Sequence, residues 1–532
     1  MSPPTPLSAD LALTGGKVAT INPRQPYAEA IAIGGQRIIA VGSGEEIKAL
    51  IGKATRVIEL EGKLALPGFN DAHIHFIEGG LSLLKVNLRG VTTIKEFQKR
   101  VKERASSLPA RAWITGGGWD HESLPGGTMP TKEILDAIAP HNPVLLSRLD
   151  LHTYLANSKA LEMAGITGDT PQPAGGEIIK DPATGEPTGI LKEKAADLAL
   201  RVVPPPSPER RLAAAREALK EARRYGVTSI HDNTTAADRE VYRHLRENGE
   251  LTARVYALLR DRPTGERTGM GDELFKIGAE KGFIDGALGS STALLFKPYA
   301  DGPTTRGLAQ VSQAALKEAI REAHRKGMQV AWHAIGDAAN RMALDAIEAA
   351  LREVPRRDHR HRIEHAQVLA PADIPRFAQL SVIASMQPAH CISDMPWTEA
   401  RLGAERAKWA YVFRSLLDSG ARIAFGTDWP VDSLNPMKGL YAAVTRQSLR
   451  GEPKGGWHPE QRLTMEEALR LYTLGSAYAS FEEGIKGSIE PGKLADIAIL
   501  SEDLTAIDAD EIKDVTVCLT MVGGTIAWRA SS

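Results

Sequence analysis

The chain has 532 residues, 42% hydrophobic and 25% charged, an ordinary globular composition. Its 65 basic and 66 acidic side chains leave a net charge of -1, which gives no sign of a nucleic-acid or membrane partner. Two cysteines exclude a disulfide framework, no apolar run reaches the ~20 residues that span a bilayer, and the opening residues lack signal-peptide features, so we expect a cytoplasmic protein.

The two ends of the chain carry similar β-rich patterns. ADLALTGGKVATI and AEAIAIGGQRIIAVG near the start, and VTVCLTMVGGTIAWRA near the end, are apolar runs split by Gly-Gly, a hairpin signal. A few strands cannot bury a face alone. We therefore expect one small β-sandwich built from residues 1–65 and 485–532.

Between these ends, short apolar runs alternate with amphipathic helical stretches, which is typical of parallel βα architecture. The predicted strands are GFNDAHIH (68–75), VTSIHD (227–232), ARVYALL (253–259), KGFIDG (281–286), MQVAWHA (328–334), RIEHAQ (362–367), SVIASMQ (381–387) and RIAFGTD (422–428). Eight such strands predict a (β/α)8 TIM-like barrel over residues 66–484. Residues 77–205 are too many for one βα connection and predict an inserted subdomain capping the barrel mouth.

Polar side chains recur at the ends of these strands. His73 and His75 are two residues apart and would share one face of a strand, although such a pair alone is weak evidence for a metal. Lys281 opens the predicted fourth strand, and the other candidates, His333, His365 and Asp428, lie near the ends of the fifth, sixth and eighth strands. Because barrel active sites form at the carboxyl ends of strands, packing alone explains this set poorly.

At these residues the sequence resembles the amidohydrolase superfamily. PGFNDAHIH, FIDGALGSSTALL, WHAIGD, RIEHAQ, SMQPAH and FGTDWPVDSLNP are similar to amidohydrolase family 3, which includes N-substituted formamide deformylases. The resemblance implies a first Zn2+ or other divalent metal on His73, His75 and Asp428, and a second on His333 and His365. It also implies that Lys281 bridges them as a carbamate made from CO2.

The activity implied is hydrolysis of an amide-type C–N bond, N-formyl or N-acyl, in a small molecule, with Asp428 as the catalytic proton acceptor. A mononuclear deaminase of an aminated heterocycle, an esterase or lactonase, and a non-catalytic relative are the alternatives. Lys281 on the fourth strand and the absence of a glutamate in WHAIGD argue against the deaminase. A homodimer is the default assembly.

Three further residues are candidates for substrate binding: His152, Trp119 and Asp285. For His152 a loop residue capping local backbone is an equal alternative, the glycines before Trp119 could simply form a turn, and Asp285 could instead support a ligand. His359 and His361 are interpreted as structural, and the resemblance implies no metal ligand at His231. Two positions depart from the family pattern, Ser291 in place of an arginine and Gly282 in place of a bulkier apolar residue.

Overall fold

Strands and helices alternate through the middle of the chain, and the computed structural model describes residues 8–149, 152–261 and 265–531. Residues 1–7, part of the segment in which we expect no signal peptide, lie outside the described residues, as do Asp150 and Leu151 beside the candidate His152. Within the described ranges, no helix has both the length and the apolar character needed to cross a membrane.

The strands are, in chain order, β1 Leu11–Thr14, β2 Lys17–Ala19, β3 Tyr27–Ala28, β4 Ala30–Gly34, β5 Arg37–Gly42, β6 Arg56–Glu59, β7 Leu64–Pro67, β8 Phe69–Ile74, β9 Val86–Asn87, β10 Ile114–Trp119, β11 Val144–Arg148, β12 Thr153–Ala156, β13 Gly176–Lys180, β14 Pro187–Glu193, β15 Val227–Thr234, β16 Arg254–Leu259, β17 Phe275–Phe283, β18 Gln329–Ala334, β19 Arg362–His365, β20 Ile383–Met386, β21 Arg422–Phe425, β22 Ile497–Leu500, β23 Val517–Val522 and β24 Thr525–Arg529.

The α-helices are α1 Gly44–Lys48, α2 Phe76–Leu83, α3 Ile94–Ser106, α4 Glu133–Asp136, α5 Ser158–Ala164, α6 Ala196–Leu200, α7 Pro208–Arg224, α8 Ala236–Glu247, α9 Gln313–Arg325, α10 Asp337–Glu353, α11 Ile374–Gln379, α12 Pro388–Leu402, α13 Ala404–Ala407, α14 Phe413–Asp418, α15 Pro436–Thr445, α16 Met465–Arg470 and α17 Ser476–Ala479. Short 3-10 turns cover His121–Ser123, Pro125–Gly127, Pro371–Asp373, Pro459–Gln461 and Ala509–Asp514, and a π-helical turn covers Leu471–Gly475.

The central sheet has eight parallel strands in the order β8, β15, β16, β17, β18, β19, β20, β21. Strands β8, β15, β16, β19 and β20 are buried along their whole length, as expected when helices cover a parallel sheet. The predicted (β/α)8 barrel is confirmed.

The first and last barrel strands meet through contacts beyond the end of β21. The Asp428 amide donates to the His73 carbonyl over 2.7 Å, and the His75 amide donates to the Trp429 carbonyl over 2.9 Å. The Asp71 carboxylate also accepts hydrogen bonds from the amide and the hydroxyl of Thr427. The barrel therefore closes at the strands that carry three candidate ligands.

The predicted limits of the fourth strand were wrong. It runs over Phe275–Phe283, so Lys281 lies near its carboxyl end instead of opening it, and Asp285 lies beyond the strand. The alternation in FKIGAE was missed because of its charged residues, one of which, Lys276, pairs with Glu482 over 2.8 Å. The correction moves Lys281 toward the end of the barrel at which the other candidates lie.

The chain forms two compact units, Met1–Phe76 with Arg216–Ser532, and Ile77–Ala215. In the first unit, beside the barrel, a six-stranded sheet in the order β24, β23, β22, β7, β2, β3 joins strands from both chain ends, and a four-stranded sheet has the order β5, β4, β1, β6. Leu13, Ile31 and Ile497 belong to one apolar core shared by these strands. The predicted domain limits of 1–65 with 485–532 stay predictions.

The second unit contains its own sheet, in the order β13, β14, β12, β11, β10, β9. Its core includes Phe97, Trp119, Leu146 and Leu155, all buried. The predicted boundaries of the insertion, 77–205, and its capping role stay predictions.

Candidate metal centre

Five candidate ligands lie at the carboxyl ends of barrel strands. His73 is the penultimate residue of β8, and His75 comes just after that strand. His333 is near the end of β18, His365 ends β19, and Asp428 follows β21. His365 and Asp428 have φ values of +74° and +58°, a left-handed conformation that non-glycine residues seldom adopt. Such strain concentrates at functional sites, where it aims side chains.

These side chains converge on one buried point. The donor atoms of His73, His365 and Asp428 all lie within 4.8 Å of one another. Asp428 Oδ1 is 3.3 Å from His75 Nε2 and 3.5 Å from His73 Nε2. The rings of His333 and His365 are 4.5 Å apart between centroids.

The second ring nitrogen of each of three histidines has a partner that determines the tautomer. His73 Nδ1 donates to Glu364 Oε2 over 2.5 Å, and His365 Nδ1 donates to Gln387 Oε1 over 2.8 Å. His333 Nε2 donates to the Gly286 carbonyl over 3.1 Å. The lone pairs are therefore on Nε2 of His73, Nε2 of His365 and Nδ1 of His333, the nitrogens left to bind a metal.

The charge states agree with this assignment. Burial lowers the pKa of His73 and His365 below the ordinary value and that of His333 to about 3, so these imidazoles are neutral at pH 7. Burial alone would raise the pKa of Asp428, but the neighbouring histidines, His75 first, hold it below its ordinary value. The site is a group of electron-pair donors with one negative charge.

The donor set fits a divalent metal. Imidazole nitrogens and carboxylates are the usual zinc ligands, and two ligands with bonds of ~2.1 Å in a tetrahedral site lie about 3.4 Å apart. The Asp428 separations of 3.3 and 3.5 Å match that value. Asn233 Nδ2 lies 3.0 Å from His73 Nε2 but also donates to the Ile74 carbonyl, and Asp428 Oδ1 has no aligned hydrogen bond among the described residues.

Lys281 is buried beside this group. Its Nζ donates to the Gly282 carbonyl over 3.2 Å and lies 3.7 Å from the Phe283 ring centroid. Burial lowers the pKa of Lys281 to about 7. A fraction of this amine is therefore uncharged at neutral pH, unlike that of a surface lysine.

Sequence reasoning missed a buried network behind His73. The Glu364 carboxylate joins His73 to Arg362, whose Nε lies 2.5 Å from Oε1, and all three side chains are at most 1% exposed. Arg362 also donates to His231 Nδ1 over 2.8 Å and to Ser385 Oγ over 2.6 Å. Burial would raise the pKa of Glu364, but Arg362 and His73 hold it below its ordinary value. The sequence RIEHAQ did contain a signal for this network, because Arg362 and Glu364 are oppositely charged residues two positions apart on a barrel strand.

Asp285 is a buried residue that connects the loop after β17 to the loop after β18. It is fully buried, and its carboxylate accepts hydrogen bonds from the amides of Leu294, Ile335 and Gly336 over 2.8 to 3.0 Å. Oδ1 lies 3.5 Å from His333 Nε2. This placement corresponds to the supporting role, and a substrate contact of Asp285 stays a prediction.

The other two predicted substrate contacts belong to the second unit. Trp119 is 1% exposed and its Nε1 donates to the Leu146 carbonyl over 3.0 Å, so the indole is part of the core of this unit, and its substrate contact stays a prediction. His152 is exposed, and its Nδ1 lies 3.1 Å from Glu193 Oε2. A substrate contact of His152 stays a prediction.

His324, His359 and His361 form a separate bottom histidine cluster near the start of β19. His361 Nδ1 accepts from the Val330 amide, so His361 Nε2 donates to His324 Nδ1 over 2.8 Å, and His324 Nε2 donates to the Val354 carbonyl. His359 Nδ1 accepts from the His361 amide and Nε2 donates to the Leu380 carbonyl. Every ring nitrogen is used, which leaves none for a metal.

The glycine that departs from the family pattern has a steric cause. Gly282 pairs in register with Trp332 on the next strand. A Cβ at Gly282 would lie 2.5 Å from a carbon of the Trp332 ring, so no larger residue fits opposite this tryptophan. The other departure, Ser291, is half-buried in the loop after β17 with φ of +56°.

Histidines and a carboxylate converge at the carboxyl ends of the strands of this parallel barrel. The arrangement is typical of barrel enzymes whose active site consists of metal-ligating side chains. The chain belongs to the Amidohydrolase family, whose profile matches residues 56–527. Family membership makes it a hydrolase and confirms the resemblance found in the sequence.

Similar proteins span nearly the whole chain. Protein LONG AFTER FAR-RED 3 of Arabidopsis thaliana is 39% identical over 98% of this chain and 92% of its own, and the putative amidohydrolase YtcJ of Bacillus subtilis is 35% identical over 97% and 99%. An N-substituted formamide deformylase of Arthrobacter pascens is 29% identical over 98% of both chains. A crystal structure of an uncharacterized metal-dependent hydrolase from Pyrococcus furiosus has a TM-score of 0.77 at 31% identity, covering 93% of this chain and 99% of that one.

Proposed function

We propose that the protein is a binuclear zinc-dependent hydrolase that cleaves an amide-type C–N bond in a small N-formyl or N-acyl compound. One observation carries the proposal. The lone pairs of neutral His73 and His365 and the Asp428 carboxylate face the same buried point, with donor atoms within 4.8 Å of one another. Acceptors buried face to face repel unless a cation or a donor lies between them, and among the described residues the Asn233 amide reaches only His73 of these three.

In this proposal His73, His75 and Asp428 hold one metal, and His333 and His365 hold the other. When bound, such metals make water a nucleophile at neutral pH and polarise the carbonyl that it attacks. Glu364, Gln387 and the Gly286 carbonyl keep the ring nitrogens of three ligands aimed inward. The protein thus supplies a preorganised set of ligands.

Asp428 is the proposed proton carrier. Its carboxylate is ionised at neutral pH, so it accepts a proton from the attacking water and then delivers it to the leaving nitrogen as the C–N bond breaks. The proton leaves with the amine, and the carboxylate is regenerated. Its second oxygen, Oδ2, stays available for this transfer while Oδ1 faces the histidines.

Lys281 is the proposed bridge, as a carbamate. An ammonium has no electron pair to donate, whereas the neutral amine attacks CO2, forms an N–C bond and releases a proton to give an anion with two oxygens. With a pKa near 7, Lys281 offers that neutral amine under physiological conditions. Support for the substrate class comes from the Arthrobacter pascens relative, which is named as a formamide deformylase.

The test combines a metal count with a substrate panel. Mass-spectrometric metal analysis of the purified protein should find close to two divalent ions per chain, and a value near one would favour the mononuclear deaminase. Metal-loaded protein should hydrolyse members of a panel of N-substituted formamides, acyl amino acids, anilides and esters. Absence of bound metal, or hydrolysis of esters alone, would contradict the proposal.

A further inference from the structure

His390 is a buried histidine beside the metal centre that the proposed mechanism does not use. It lies in the first turn of α12, directly after β20. Its ring is nearly parallel to that of His365, with 10° between the planes and 6.3 Å between the centroids. The residue is 8% exposed, so its orientation is set by packing.

The Nε2 atom of His390 is buried and has no hydrogen-bond partner among the described residues. Buried polar atoms in folded proteins are nearly always satisfied, by protein, water or ligand. The nearest charged group is Asp428 Oδ2 at 4.0 Å, which is beyond hydrogen-bond distance. A hydrogen-bond partner from beyond the described residues, such as a bound ligand, is therefore needed to satisfy this nitrogen.

The Asp428 carboxylate indicates that Nε2 of His390 carries a proton. A lone pair facing the Asp428 carboxylate would be repelled, whereas an N–H is attracted. His390 therefore presents one N–H donor to the space beside Asp428.

Gln387, the hydrogen-bond partner of the candidate ligand His365, also holds the backbone of His390. Gln387 accepts the Nδ1–H of His365 over 2.8 Å, and the Gln387 carbonyl accepts the His390 amide over 3.2 Å. The same turn thus orients a metal ligand and the unsatisfied donor. A side chain placed this way moves little on ligand binding, so the partner must come to it.

We infer that His390 is a further catalytic residue that donates its Nε2–H to the carbonyl oxygen of the bond being cleaved. This inference rests on the proposed hydrolytic function, because the reacting group must lie beside Asp428 for the proton transfer. Asp428 Oδ1 faces His73 and His75, while Oδ2 faces His390, so the donor is on the side left open for substrate. A donor aimed at an oxygen that gains charge stabilises the transition state.

The test compares His390→Leu, which removes the donor without adding bulk, with His390→Gln, whose amide can return it. His244→Leu, on the exposed face of α8, is the control for the exchange itself. Metal content is measured first. Binding of acetohydroxamate, whose carbonyl oxygen takes the place of the substrate's, is then followed in the visible spectrum of the Co2+-loaded protein.

We expect unchanged metal content in all variants and about tenfold weaker acetohydroxamate binding in His390→Leu, the loss of one hydrogen bond. With a substrate from the panel, kcat should fall roughly 10²- to 10³-fold and KM much less, with partial recovery in His390→Gln. Wild-type binding and kcat in His390→Leu, or loss of metal from both His390 variants, would overturn the inference. Failure of the proposed function shows instead in the wild type, as absent metal or absent hydrolysis.

Discussion

Replacing Glu364 by glutamine should separate metal binding from fold stability. The substitution removes one negative charge whose Oε2 accepts from His73 at 2.5 Å and whose Oε1 accepts from Arg362 Nε at 2.5 Å. Arg362 Nη2 also donates to Oε2, over 3.1 Å. The amide that replaces it keeps a single oxygen acceptor. Either His73 loses the partner that sets its tautomer, or Arg362 loses the shorter of its two hydrogen bonds to this side chain.

The magnitudes differ for the two partners. Loss of a carboxylate behind a ligating histidine typically weakens metal binding 10- to 100-fold, about 1.4 to 2.7 kcal/mol. Arg362 is fully buried, and its other acceptors, among them His231 and Ser385, are neutral. An uncompensated buried charge costs about 3–5 kcal/mol, so we expect the larger loss in the unfolding of the metal-free protein.

The assay measures both quantities on the same variants. Metal affinity comes from competition with a chromophoric chelator, and the free energy of unfolding comes from urea titration of metal-free protein. The double variant Arg362→Met with Glu364→Gln removes both charges, so it should regain stability while metal affinity stays low. Glu240→Gln, in an exposed pair with Arg243, is the control and should change stability by under ~1 kcal/mol. Wild-type metal affinity in Glu364→Gln would refute the role given to the carboxylate.

Four other outcomes are expected. Asp428→Asn should lower kcat roughly 10²- to 10⁴-fold with an unchanged melting temperature, and retention of most activity would contradict its role as proton carrier. Lys281→Ala should lose hydrolysis that a high concentration of a short carboxylic acid partly restores, whereas no rescue would count against a carbamate. Gly282→Ala should destabilise the protein by about 1–3 kcal/mol in urea titration because its Cβ would lie 2.5 Å from the tryptophan ring opposite, while Gly484→Ala, with open space around it, should not. In the bottom histidine cluster, burial lowers the pKa of His359 from 6.5 to about 4, so His359 binds a proton in the unfolded chain but not in the folded one between these values. His359 should therefore contribute up to about 3 kcal/mol to the fall in the free energy of unfolding from pH 6.5 to 4, and His359→Gln should make that fall smaller.

The barrel was readable from the sequence because its strands are short apolar runs at helix-length intervals, a local pattern. The fourth strand was misplaced where Lys276 and Glu280 interrupt that pattern. Lys276 is a strand residue because it pairs with Glu482, 206 residues away, a contact that no local pattern contains.

The same limit applies to the site. The candidate ligands could be found because they share strand ends and resemble a family motif. The roles of Glu364 and His390 could not be found in this way, because they depend on partners distant in sequence. Glu364 acts on His73, and the proposed role of His390 depends on Asp428. The role of Trp119 could not be decided from the glycine run before it, because such a run is compatible with ligand access and equally with close strand packing.

The closure of the barrel has a further consequence for how the molecule opens. Among the described residues, no continuous strand ladder joins β8 to β21, and the junction depends on a few hydrogen bonds around Asp71 and Asp428. A metal shared by His73, His75 and Asp428 would cross this same junction. Metal loss would then weaken the connection between early and late parts of the chain, and amide exchange should accelerate first along this line while the opposite wall of the barrel stays protected.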